Sequence, residues 1–275
     1  MADPTGLHRV VHTMGTVFSL TLRDEPTPLL RSALDDVESL LHHVDAVFSP
    51  FRPDSAVCRI RRGEPVPHRW DGEVQQVLTM CADAERRSGG WFSSRHSGAF
   101  DPSGLVKGWA VERAARLLRS AGAERLCLNG GGDVQLHGGP WRVGISHPLA
   151  PGRLAARVKS VAGPLAVATS GPAERGCHIV DPHTGEPPSY GLASLTVVST
   201  SLTEADVAAT SAYAMGGDAR AWLEELPGVT AFAVETDGST WMTRHAPGSF
   251  QVQRRWDRAA SSAVTMPVPF RRWPR

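Results

Sequence analysis

The chain has 275 residues, of which 41% are apolar and 21% charged, and its net charge is +1. That balance is ordinary for a globular protein with a buried core, and it excludes a general electrostatic pull toward nucleic acid or anionic membrane. Cys58, Cys81, Cys127 and Cys177 are scattered without a CxxC pair, which excludes a zinc knuckle and a disulfide framework and reads as the reduced thiols of a cytoplasmic protein. The start "MADPTGLHRVV" lacks a charged segment followed by a long apolar run, so no signal peptide or membrane anchor is expected.

In chain order, residues 9–23 read as a strand pair or one long strand broken at Met14-Gly15. Thr27-Pro28 has the cap-then-proline order of a helix start, and Leu30, Leu34, Val37, Leu41 and Val44 follow at helical spacing. Residues 48–60, "FSPFRPDSAVCRI", carry two prolines and an Asp-Ser turn and read as a loop. Asp71 is expected to cap a second helix that stops at Gly89-Gly90, and a third helix carries Val111, Ala114, Ala115 and Leu118. "RLCLNGGGDVQLHGGPWRVGIS" predicts three short strands with glycine turns, and "LAVATSG" and "ASLTVVST" two more. Thr203 is expected to cap an alanine-rich helix, followed by a short helix over "DARAWLEEL", the strand "VTAFAVE" and a hairpin at Asp237-Gly238. The expectation is one α+β domain over residues 1–256, mostly antiparallel, with a loose tail at 257–275.

Four stretches carry chemistry. "DPSGLVKG" ends a loop at a helix start, where free backbone N–H groups and the helix dipole favour an anion. Lys107, one of only two lysines in the chain, adds a mobile positive charge there, and Asp101 is free to accept a hydrogen bond from a sugar or a base edge. The same stretch also reads as a tight turn with a surface lysine. Asp206 and Thr210 stand four apart on one helix face, a carboxylate and a hydroxyl that suit a hard cation such as Mg²⁺. With Thr203 as cap, Asp206 would equally be an acid placed in the first turn by the dipole. His178, in "CHIVDPHTG", is a candidate phosphate donor or general acid/base. "NGGGDVQL" lacks the GxGxxG order and the following helix of a dinucleotide fold, and a strand end packed close to another backbone is the favoured role.

Together these stretches resemble, in order, the ApbE family of FAD:protein FMN transferases. The resemblance rests on Met14-Gly15-Thr16, Phe48-Ser49-Pro50-Phe51 with Asp54-Ser55, Asp101 to Gly108, Gly131-Gly132-Asp133, His178 to Gly185, and Ala205 to Thr210. It implies a T-fold-like domain, an antiparallel sheet with flanking helices around a central FAD cleft. It also implies a Mg²⁺-dependent enzyme that splits FAD, attaches FMN to a Thr or Ser of an acceptor protein and releases AMP. By that likeness Met14, Phe51, Asp101, Lys107 and His178 contact FAD, while Asp206, Thr210 and the Gly104 carbonyl hold Mg²⁺, and His178, Lys107 and Asp206 act in the chemistry. Phe51 stands where the family usually has Tyr, and the segment between Gly89-Gly90 and Phe100 is short for the family. An FAD pyrophosphatase, or a flavin-binding protein without catalysis, are the alternative readings.

Overall fold

The computed structural model describes residues 6–95, 98–172, 179–188, 191–244 and 250–253. The tail expected at 257–275 lies outside the described residues.

A hairpin opens the chain: β1 (Leu7–Thr13) and β2 (Thr16–Leu22) turn at Met14-Gly15, both at positive φ. The long helix α1 (Pro28–Phe48) starts as expected, with the Thr27 hydroxyl accepting from the Leu30 N–H at 3.1 Å. Residues 48–60 are not all loop. Ser55 caps a short helix α2 (Ala56–Arg61) by accepting from the Cys58 N–H, so the Asp-Ser turn is a helix start. Asp71 is the first residue of α3 (Asp71–Arg87) and not its cap, because a 3₁₀ turn over His68–Trp70 leads directly into it. Then come α4 (Ser103–Ser120), β3 (Leu126–Gly130), β4 (Asp133–His137) and β5 (Trp141–Ser146). A strand the sequence pattern does not announce, β6 (Leu154–Ser160), precedes β7 (Leu165–Ser170) and β8 (Leu192–Ser199). The alanine-rich helix is α5 (Leu202–Met215), and α6 (Ala219–Glu225), β9 (Thr230–Glu235), β10 (Thr240–Met242) and β11 (Phe250–Gln253) complete the order.

Eight strands form one antiparallel sheet in the order β1-β2-β3-β4-β7-β8-β9-β10, and β11-β6-β5 form a second. Period-two alternation decides what each face covers. Ala166, Ala168, Leu195, Val197, Ala231 and Ala233 point into the large core shared with α1, α4 and α5. Their neighbours Leu165, Val167, Val198, Phe232 and Val234 point the other way, onto Trp141, Ile145, Ala156 and Val158 of the small sheet. The main sheet is therefore covered on both faces in its middle, which is why β8 is buried along its whole length, its polar Ser194 and Thr196 included. The small alanines face the helices, so α5, itself alanine-rich, lies close to the sheet.

The thiol of Cys81 sits on the buried face of α3, and burial pushes its pKa up to about 12. Native protein at pH 8 is expected to leave Cys81 unalkylated by iodoacetamide, while protein in concentrated urea is modified there, with peptide mass spectrometry as the readout.

Candidate active site

The site is built where α4 and α5 touch and where both meet one end of the main sheet. The antiparallel register of β2 and β3 puts the Met14-Gly15 turn and the β3–β4 turn at the same end. The β3–β4 loop is Gly131-Gly132, both at positive φ, the two-residue hairpin that glycine makes without steric cost. Gly130 beside it has no room for a side chain: a Cβ would stand 2.7 Å from Val111 and 2.8 Å from Phe18. The glycine run thus serves a tight hairpin and a close approach to side chains of α4 and β2. Its product is Asp133, the first residue of β4, only 2% exposed.

Asp133 enters the sequence reading only as the end of the Gly131-Gly132-Asp133 motif, with no role of its own. Its Oδ1 accepts from the Thr169 N–H of β7 at 2.9 Å, and its Oδ2 accepts from the Lys107 ammonium. Lys107 also stands 3.8 Å from Oδ2 of Asp206. It is therefore held between two carboxylates and is not the mobile surface charge its position suggested. The signal available in the sequence was "GGD" itself, an acid directly after a turn at a strand start.

Asp206 is 5% exposed. It is not an acid of the first helical turn, because Ser201, and not Thr203, is the N-cap: the Ser201 hydroxyl accepts from the Glu204 N–H. The first-turn acid is Glu204, and Asp206 lies a turn deeper, facing α4. Its Oδ2 accepts from the Gly108 N–H at 3.2 Å, and a Cβ on Gly108 would come within 2.9 Å of the Leu202 carbonyl and 3.1 Å of the Asp206 Cβ. Gly108 thus lets the two helices approach closely here. One turn earlier on α4, Gly104 faces Thr210 across the same seam, at 3.9 Å from Cγ2 to where a Cβ would be.

The donors suit a hard divalent cation. Asp133 and Asp206 bring two buried carboxylates to the Lys107 ammonium, and carboxylate and hydroxyl oxygens are the ligands such a cation takes. Among the described residues no group of three or more His, Cys, Asp or Glu side chains is arranged to hold a metal. A cation here would take Asp206, the Thr210 hydroxyl and a backbone carbonyl such as that of Gly104, and complete its shell with water or phosphate oxygen, the habit of Mg²⁺.

The other predicted residues fall as follows. Phe51 is 91% exposed, yet its backbone is pinned: its N–H donates to Ser49, and the Pro50 carbonyl accepts from Arg61 and Cys58. Asp101 is not without a cation, since Arg61 Nη2 lies 3.4 Å from its Oδ2. Arg61 also donates to the Phe100 carbonyl at 2.7 Å, so one guanidinium ties the Phe51 loop to the loop that starts α4. Met14 sits at φ 52°, a strained conformation for a residue with a side chain. The short segment after Gly89-Gly90 folds back on this region. Phe92 is buried against Gly104, the Ser94 carbonyl accepts from the Asp101 N–H, and the Trp91 ring meets His183 edge-on at 4.5 Å. Asp181 accepts from both the backbone N–H and the ring Nδ1 of His183. His178 lies outside the described residues. A cavity of about 300 Å³ opens between α3, α4 and α5, lined by Met80, Arg87, Leu105, Glu204 and Val207 among others, and none of its walls is a predicted site residue.

Comparison with known proteins gives this arrangement a family. The model of the ApbE family matches residues 14–95 and 93–233, and the chain belongs to that family. It is 33% identical over 167 residues to an FAD:protein FMN transferase of Vibrio cholerae, a match covering 55% of this chain and 48% of that protein. A protein of the same name from Rhodobacter capsulatus is 30% identical over 220 residues, covering 75% of this chain and 39% of its own. The chain thus aligns with about half the length, or less, of these relatives. In structure it is similar to the flavin transferase ApbE of V. cholerae (TM-score 0.73, 23% identity, 87% of this chain and 97% of the other) and to the ApbE protein of Thermotoga maritima (TM-score 0.74, 20% identity, 87% and 97%). These likenesses establish the fold: the single antiparallel α+β domain with flanking helices that the sequence led us to expect.

Gly108→Ala is expected to cost about 1–3 kcal/mol of stability, because the new methyl group must push the Leu202 carbonyl of α5 away from α4. Urea denaturation monitored by circular dichroism measures the loss.

Proposed function

We propose that this protein is a Mg²⁺-dependent transferase that cleaves FAD, attaches FMN through a phosphoester to a Thr or Ser hydroxyl of an acceptor protein, and releases AMP. The observation that carries this reading is the buried cluster of Lys107 between Asp133 and Asp206 at the start of α4, with Thr210 and Gly104 on the same seam. Family membership supplies the reaction class, and the names of the relatives supply flavin as the cargo.

In this reading the acceptor oxygen forms a bond to the FMN phosphorus, and the bridging oxygen leaves with AMP. Asp206, Thr210 and the Gly104 carbonyl would hold the ion. Bound Mg²⁺ would supply neutralisation of the diphosphate charge. Lys107, held by its carboxylates at the start of α4, carries part of the charge that builds up during in-line displacement. Asp133 keeps the ammonium in place, and the Thr169 N–H keeps Asp133 in place. The pinned, exposed Phe51 would offer a face on which a flavin ring stacks, and Met14 and Asp101 would contact FAD as well. His178 either orients FAD or takes the proton of the acceptor hydroxyl. Free thiols at Cys58, Cys81 and Cys127 fit a reducing, cytoplasmic setting. Among the described residues no helix is long and apolar enough to cross a membrane.

Asp206→Ala should abolish Mg²⁺-dependent AMP release from FAD while leaving the circular dichroism spectrum unchanged, and normal turnover of that variant would refute the metal assignment. Lys107→Ala is expected to slow transfer by ~10²–10³-fold, the scale of one lost charge-stabilising donor. Intact-mass analysis of an acceptor domain incubated with enzyme, FAD and Mg²⁺ follows both. AMP release equally fast with and without acceptor would make the protein an FAD pyrophosphatase.

A further inference from the structure

The seam between α4 and α5 has a third rung. Gly104 faces Thr210, and Gly108 faces Asp206. One turn further along α4, Glu112 faces the start of α5. A single oxygen, Oε2 of Glu112, accepts from the Ser201 hydroxyl at 2.7 Å, the Thr203 hydroxyl at 2.8 Å and the Thr203 N–H at 3.1 Å. Beside it, Oε1 of Gln135 on β4 accepts from the Leu202 N–H at 3.1 Å. The Gln135 amide donates in turn to the carbonyls of Leu136, Leu165 and Thr200.

A helix leaves its first N–H groups without partners inside the helix. In α5 those of Leu202 and Thr203 are taken by side chains of another strand and another helix, and only that of Glu204 is satisfied locally, by Ser201. Nothing about a helix start requires this, since a Ser cap with water would suffice. What the foreign acceptors add is register. They fix both the axial position and the rotation of α5 against α4 and β4, one turn before Asp206. A slide of one residue along the helix would move the Asp206 carboxylate by about 1.5 Å and swing it by about 100°.

We propose that Glu112, with Gln135 beside it, is a positioning residue: it locks the register of α5 on α4, and through it the place of Asp206 opposite Gly108 and Lys107. The proposal deepens the function proposed above and rests on it for its activity readout. Partners that orient a metal ligand typically matter by 10–100-fold in metal affinity or activity.

Two substitutions separate reach from charge. Glu112→Gln keeps an acceptor oxygen at the same distance and loses the charge. Glu112→Asp keeps the charge and withdraws the oxygen by one methylene. In the full-length protein, the Mg²⁺ concentration giving half-maximal AMP release from FAD is expected to rise by ~10-fold or more in Glu112→Asp and to stay near wild type in Glu112→Gln. Amide exchange of peptides covering 202–210, read by mass spectrometry without metal or FAD, should quicken in Glu112→Asp alone. An unshifted Mg²⁺ requirement in Glu112→Asp overturns the proposal, whatever happens to the melting temperature. So does a Glu112→Gln protein as impaired as Glu112→Asp. A wild type whose AMP release ignores Mg²⁺ sinks the metal-dependent function instead. The lock is then decided by exchange: quickening confined to Glu112→Asp sustains it, and unchanged exchange removes it.

Discussion

Everything in the site depends on how closely α4 and α5 approach at Gly108. A methyl group there would overlap the Leu202 carbonyl, so glycine is what lets a backbone N–H of one helix reach a carboxylate of the other. From that contact the rest follows. Asp206 is drawn into the seam, Lys107 comes within range of it, and the sheet end presents Asp133 as the second carboxylate. The alanine faces of β7, β8 and β9 serve the same end, since small side chains under α5 let it settle low enough to meet α4. The glycine and alanine content that looks like weak core-building is the geometry that a tight polar site requires.

Three kinds of information in the chain differ in how readable they are. The strands and long helices were legible because their apolar spacing is local, and the order of motifs led to the family. The Ser201 cap was not: "STSLTE" offers several hydroxyls in a row, and only the tertiary acceptors on Glu112 and Gln135 decide where the helix begins. β6 was missed because "LAARVKS" carries two cations, and only its pairing with β5 and β11 makes a strand of it. The helix over Ala56–Arg61 was missed because prolines before it dominate the local reading.

Site residues divide the same way. That Asp206 and Thr210 share a helix face was legible from helix periodicity, whereas the approach of Gly104 to Thr210 shows only once α4 and α5 are packed together. The pairing of Lys107 with Asp133 was not legible, since they lie 26 residues apart in sequence and on different elements. Nothing in the local sequence "RIRRG" singles out Arg61. Its three contacts to Pro50, Phe100 and Asp101 make it a brace between two site loops, a role that appears only when those loops converge.

The seam joins Gly108 to Asp206 across 98 residues of chain. A site assembled from such distant pieces has no local precursor. Its loop-closure entropy is met only when the chain between the two helices, which carries β3 to β8, has folded back on itself. A ligand that bridges the seam therefore stabilises the entire domain against unfolding, by an amount set by its concentration relative to its dissociation constant, and not merely a loop around itself. For the same reason a fragment ending before α5 could keep much of its secondary structure and still hold no part of the site in working order.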